Sequence, residues 1–292
     1  MTAPRLGAHL SVAGGVPRAI DRAVATGCDT LQIFTKNSNR WHGRALAETE
    51  VEEFRRLARA HALESIVSHA SYLINLASPD PALRRRSVAA LEDELHRGDQ
   101  LGLSGVVLHP GAHTTATAQD GIMWIAEGIA AAQSRQRGGT PVVLEHTAGQ
   151  GTMLGYRFEQ LRTMIDQLDD ASRVTVCLDT CHLVAAGYDI VSEAGYHRVF
   201  DEFNAVLGFD RLTVVHLNDS KKPLGSRVDR HDNIGQGCIG TEPFRRLLRD
   251  ARFANLPMVL ETPKAERGRP AGTEADPQDL DNLALLRKLR DE

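Results

Sequence analysis

The chain lacks any long uninterrupted apolar run, so no segment of its 292 residues reads as a membrane-spanning helix. Its opening, MTAPRLGAHL, has neither the basic nor the apolar region of a secretion signal, and the expected location is the cytoplasm. Paired cysteine spacing is missing as well. The four cysteines, Cys28, Cys177, Cys181 and Cys238, form no CxxC pair, which argues against disulfides or zinc thiolates and leaves reduced, structural thiols. No Pro/Gly/Ser-rich linker divides the chain. The formal net charge of -4 argues against a protein that holds nucleic acid by overall positive charge. That sum counts metal-binding acids as negative, although a bound cation would neutralise them.

What is present is a repeated device. Six short apolar runs each end on a residue able to ligate a metal: IVSH at His69, VVLH at His109, VVLE at Glu145, VCLD at Asp179, TVVH at His216 and MVLE at Glu261. Successive positions differ by 40, 36, 34, 37 and 45 residues, the length of a strand, a helix and two loops. One polar residue at a strand end is often a satisfied core residue; six at one phase of a repeat point to a shared site.

Two further apolar segments, LGAHL near His9 and TLQIFTK near residue 35, bring the strand count to eight. Between strands lie stretches with helical spacing, among them ETEVEEFRRLARAHAL, PALRRRSVAALEDELHRGDQLG, DGIMWIAEGIAAAQSRQRG and FEQLRTMIDQLDD. Eight alternating strands and helices predict one domain over residues 1–292, an α/β fold of the (β/α)8 TIM barrel type. An open doubly wound sheet would gather ligands at one switch point, not from nearly every strand. Barrel sites form at the C-terminal strand ends, where these ligands stand. The polar connection from Asn218 to Pro243 is long enough to be functional.

Histidine and carboxylate without cysteine suit zinc, manganese or iron, with zinc favoured where imidazoles dominate. DTCH adds His182 three residues after Asp179, and SRVDRHDN adds Asp229 and His231, whose two-residue spacing places both side chains on one side of extended backbone. Nine candidates exceed one tetrahedral ion. Two or three ions sharing a bridging carboxylate would use them all, and such sites commonly act on phosphate esters. His9 and His113 are expected to support the site or the structure, and His42, His61, His96 and His197 to be surface or packing residues. Arg84 to Arg86 read as a solvated helix face. The GQGCIG loop, Gly235 to Gly240, follows no strand and does not indicate a dinucleotide fold; it either holds phosphate or is a flexible lead-in to the next helix.

The strings HASYLINL, HPGAH, TAGQG after Glu145, DTCHLVAAGYD, HLNDSK, GSRVDRHDNIGQGCIG and ETPK together resemble the endonuclease IV family of apurinic/apyrimidinic endonucleases, from Gly7 to Lys264. The resemblance implies three Zn2+ ions per chain, with Mn2+ admitted at one site. His69, His109 and Glu145 would hold the first ion, and Glu145 would bridge to a second held with Asp179, His216 and Glu261. His182, Asp229 and His231 would hold the third. It also implies cleavage of duplex DNA 5′ to an abasic site to leave a 3′-hydroxyl, and removal of blocked 3′ ends. The expected partner is that duplex DNA, with no membrane, and the chain is expected to be a monomer. By the same resemblance Glu145 would be the bridging ligand and a candidate proton acceptor. Tyr72 and Leu73 would fill the gap in the duplex, and Lys36, Lys221, Arg227 and Arg230 would contact phosphates. Asp229 and His231, on a loop expected to move, would complete the site when substrate binds.

Three positions depart from the family pattern. Asn39, with Arg40 beside it, stands where some members place an arginine that wedges the DNA stack. His146 follows Glu145 where Asn is expected, and Ala70 replaces a frequent Asp. A metal-dependent sugar isomerase or epimerase on the same barrel is the competing enzyme, and it would leave His182, Asp229 and His231 without a role. A non-catalytic zinc or DNA binder is opposed by the missing cysteines and the acidic charge.

Overall fold

A computed structural model describes residues 3–265 and 272–292. In chain order its strands are β1 (Arg5–Leu10), β2 (Thr30–Ile33), β3 (Val67–His69), β4 (Gly105–Leu108), β5 (Val142–Glu145), β6 (Val174–Asp179), β7 (Leu212–His216), β8 (Asp219–Ser220), β9 (His231–Asp232) and β10 (Pro257–Leu260). All but β8 and β9 form a closed barrel in the circular order β1-β10-β7-β6-β5-β4-β3-β2, each neighbouring pair parallel. Outside lie α1 (Pro17–Thr26), α2 (Glu48–Ala60), α3 (Pro81–Leu101), α4 (Ala118–Arg135), α5 (Phe158–Asp166), α6 (Thr180–Ala186), α7 (Glu193–Val206), α8 (Glu242–Arg249) and α9 (Pro277–Asp291). Local chemistry sets their ends. In α3, Asp80 accepts from the Ala82 amide at 2.8 Å, Pro81 opens the first turn, and Gly102 closes it in the left-handed region at φ 71°.

Strand alternation explains the repeat seen in the sequence. Successive strand residues point to opposite faces, so a ligand and the residue two before it both face the barrel interior. The residues two before the six ligands are Val67, Val107, Val143, Cys177, Val214 and Val259. They form a buried cluster of their own, an apolar floor beneath the ligands. The intervening residues, such as Val106, Leu108, Val142, Leu144, Leu178 and Val215, face outward and join the larger core between strands and helices. One period of two therefore builds both cores and aims all six ligands at the same mouth.

The long connection after β7 is anchored. Strands β8 and β9 pair antiparallel, with Ser220 opposite His231. The buried Asp219 carboxylate accepts from the amides of Ser220 at 2.7 Å, Gly235 at 2.9 Å and Ile239 at 2.8 Å. The last two amides belong to the Gly-rich loop, so a carboxylate of the chain itself occupies the cradle that the sequence suggested for phosphate. The alternative, a flexible lead-in, is corrected by the same bonds. Gly237 is required here because a Cβ would stand 2.4 Å from the Ser220 carbonyl oxygen and 2.5 Å from Asp219 Oδ1. Asp219→Ala leaves these amides without their acceptor and is expected to destabilise the fold by about 2–3 kcal/mol. A lower urea midpoint with an unchanged slope checks this.

Candidate metal centre

Each ligand reaches the barrel mouth by a short local device. His69, Glu145, Asp179 and His216 are the last residues of their strands, while His109 and Glu261 each stand one residue beyond. Asp179 is also the cap of α6: its Oδ1 accepts from the His182 amide at 2.8 Å. The DTCH spacing is thus a helix cap, and it delivers His182 to the mouth on the first turn. Pairing of β8 with β9 brings in His231 and, just before it, Asp229.

The nine residues fall into three groups whose ligand atoms lie within 4.8 Å of one another: His69, His109 and Glu145; Glu145, Asp179, His216 and Glu261; and His182, Asp229 and His231. Glu145 is fully buried and shared by the first two. One of its oxygens is 3.2 Å from His69 Nε2 and 3.0 Å from His109 Nε2; the other is 3.1 Å from His216 Nδ1 and 3.3 Å from His182 Nδ1. Asp229 links His182 and His231, at 3.2 Å from each. The third group is therefore already assembled, which corrects the expectation that Asp229 and His231 join only with substrate.

Ring orientation fits metal ligation. Nδ1 of His69 donates to the Ala70 carbonyl at 2.8 Å, that of His182 to the His146 carbonyl at 2.9 Å, and that of His231 to the Glu261 carbonyl at 3.2 Å. Each bond leaves Nε2 turned into its group, as a ligating imidazole requires. Nε2 of His182 and of His231 are buried without a hydrogen-bond partner among the described residues, although Asp229 oxygens stand nearby. Lone pairs directed at a common point rather than at each other suit a cation between them.

The electrostatics agree. Burial alone would lower the histidines, but the surrounding carboxylates outweigh it: Glu145 raises His69, Asp179 with Asp229 raises His182 well above its ordinary value, and the same pair lifts His231 to about 9. Burial alone would raise Glu145 and Glu261, yet His109 and His216 hold the first, and His216 the second, well below the carboxylate range. Cys177 and Cys181 lie close to these groups, but burial pushes both thiols up to about 12, where they stay protonated.

Around the groups, Tyr72 is 57% exposed, with its ring 5.2 Å from that of His69 and 6.0 Å from that of His109. Leu73 beside it is half-buried. Asn39 and Arg40 are exposed on the loop after β2, whose Ser38 carbonyl accepts from Ser71 Oγ at 2.6 Å, joining that loop to the Tyr72 turn. Lys221 and Arg230 are exposed on the β8–β9 connection, as is Arg227. Lys36 departs from its expected phosphate contact: it is buried, and its ammonium is bonded to Asp93 and 3.1 Å from Glu94. Arg84 and Arg86 are not simply solvated; they stack over Trp124 and Trp41 at 4.2 and 4.3 Å.

Two of the departures from the family pattern become legible. The His146 ring turns away from the ligands to pack 5.4 Å from Phe158 and 5.3 Å from Tyr188, and burial lowers it to about 3, so it is neutral. Its carbonyl, which any residue supplies, orients His182. Ala70 orients His69 in the same way. One further residue at the ligand layer belongs to no ligand motif of the sequence. Gln32 is fully buried at the ligand layer, two residues beyond Thr30 on β2, and contacts His9, His216 and Glu261. Its only signal in the sequence is phase, a polar residue at an interior position, and an amide is not one of the histidine or carboxylate ligand types.

Comparison with known proteins agrees with this geometry. The family described as "Xylose isomerase-like TIM barrel" matches residues 20–288. A protein from Chloroflexus aurantiacus named "Probable endonuclease 4" is 46% identical over 287 residues, covering 98% of each chain. The crystal structure of endonuclease IV from Thermus thermophilus superposes with a TM-score of 0.85 at 39% identity over 99% of both chains. A D-psicose 3-epimerase from Clostridium cellulolyticum H10, at 18% identity and TM-score 0.65 over 98% of this chain and 99% of its own, shares the fold alone. With the barrel, the ligand groups and near full-length identity in agreement, the chain belongs to the endonuclease IV family of xylose isomerase-like TIM barrels.

Proposed function

We propose that this chain is a zinc-dependent DNA repair hydrolase that cuts duplex DNA 5′ to an abasic site, leaves a 3′-hydroxyl, and removes blocked 3′ ends. The observation that carries this reading is Glu145, buried and shared between two ligand groups with a third beside them. His69, His109 and Glu145 would hold one ion, Glu145, Asp179, His216 and Glu261 a second, and His182, Asp229 and His231 a third. Bound cations would supply neutralisation of the anionic phosphodiester and stabilisation of its poor alkoxide leaving group.

The protein's own groups do the rest. Glu145, fixed by the histidines around it, keeps the first two ligand groups in register. Tyr72 and Leu73 offer apolar surface beside the mouth against which a duplex can part, and extrusion is cheapest where no base stacks or pairs. Exposed Arg40, Lys221, Arg227 and Arg230 would meet phosphates around the mouth. Asn39, exposed on the same loop as Arg40, would meet the DNA stack beside the mouth. The sugar-epimerase alternative gives the third group no task.

The test is a duplex carrying one tetrahydrofuran abasic analogue. Incision on its 5′ side by the zinc-loaded chain, with a product that a polymerase extends, is expected. No incision by a sample holding about three ions per chain would overturn the proposal.

A further inference from the structure

We infer that Gln32 is a positioning residue of the second ligand group, setting which nitrogen of His216 faces the metal and which oxygen of Glu261 remains for it. The inference rests on the metal-centre reading above and adds a residue that no ligand motif contains.

The contacts determine the amide's orientation. A carboxylate oxygen accepts, so the Gln32 nitrogen faces Glu261, at 2.6 Å from Oε1. The same nitrogen lies 2.9 Å from His9 Nδ1. Gln32 Oε1 is then left facing His216 Nε2 at 2.9 Å, and it can only accept. His216 therefore carries a proton on Nε2 and presents Nδ1 to the group, 3.1 Å from Glu145 and 3.2 Å from Glu261 Oε2. Donation from Gln32 to Oε1 of Glu261 leaves Oε2 on the metal side. Each polar atom of the amide has a named partner, and a flipped amide would set its oxygen against the carboxylate.

Comparison with the other histidines shows why this residue matters. His69, His182 and His231 are oriented by backbone carbonyls, which no substitution removes. His216 alone among these four depends on a side chain. The barrel makes this reach available: β2 neighbours β1, β1 neighbours β10 and β10 neighbours β7, and Gln32 extends across all of them to a residue of β7. One amide joins the mouth-facing ends of four strands.

Gln32→Met keeps length and removes hydrogen bonding; Gln32→Glu keeps the acceptor for His216 but loses both donors and sets a carboxylate against Glu261. Zinc retention is measured per chain against rising chelator, together with exchange of the His216 Nε2–H resonance in the zinc-loaded protein. Circular dichroism confirms that each variant folds. In both variants one ion is expected to leave at roughly 10–100-fold lower chelator while the other two are retained, the size typical of groups that orient metal ligands. Fast exchange of the Nε2–H is expected in Gln32→Met and slow exchange in Gln32→Glu. A Gln32→Met profile identical to the parent would overturn the role of Gln32 and leave the metal centre standing. Failure of the parent chain to retain zinc would remove the metal centre, and this inference with it.

Discussion

Glu145→Gln is expected to lower incision of an abasic duplex by about 10³-fold or more, a loss at or beyond that of a single transition-state donor because two ligand groups fail together. The substitution keeps shape and removes charge. Four histidines, His69, His109, His182 and His216, stand within 3.3 Å of that carboxylate, so its loss also removes the negative charge that faces their rings. Bound zinc should fall with activity. A gel assay alongside elemental analysis checks both, and an unchanged incision rate would remove Glu145 from the centre of the argument. By contrast, a replacement at His146, whose ring faces away from the ligands, should leave zinc content unaltered provided the aromatic packing against Phe158 and Tyr188 is kept.

Removal of metal by prolonged chelation is expected to abolish incision and to reverse the dependence of stability on pH. His231 is lifted from 6.5 to about 9 by Asp179 and Asp229 against the opposing effect of burial. A group raised on folding contributes stability that is fully present below its unfolded value and is lost as pH rises through its folded value. The metal-free protein should therefore lose this contribution between about pH 6.5 and 9, and the raised His69, His182 and His216 act in the same direction. The loaded protein should respond the opposite way. Protons compete with metal for these imidazoles, so zinc affinity rises with pH and loading at neutral pH releases protons. Thermal melts of both forms across that range, with a pH-indicator dye during zinc addition, decide the point. Parallel pH trends, or loading without proton release, would contradict the assembled site.

Much of this was legible along the chain because a strand repeats every two residues and a barrel unit every few tens. His69, His109, Glu145, Asp179, His216 and Glu261 share one phase of both periods, and burial of Val67, Val107, Val143, Val214 and Val259 beneath them follows from the shorter one. His182 was readable because a helix cap fixes its distance from Asp179. Lys36 misled: proximity to an expected binding loop carried no information about Asp93 and Glu94, which approach from α3, more than fifty residues on. The GQGCIG loop misled for a related reason. Its amides suit an anion, and the chain supplies its own in Asp219.

Local order along the chain, then, was enough to set the barrel, the face on which ligands gather and their chemical type, because periodicity and capping act over a few residues. Which carboxylate is shared, which ring nitrogen each histidine turns inward, and that Gln32 reaches His216 and Glu261 across the mouth depended on closure of the barrel. Those contacts join residues as far apart as 229 positions, and only the folded chain brings them within a hydrogen bond's length.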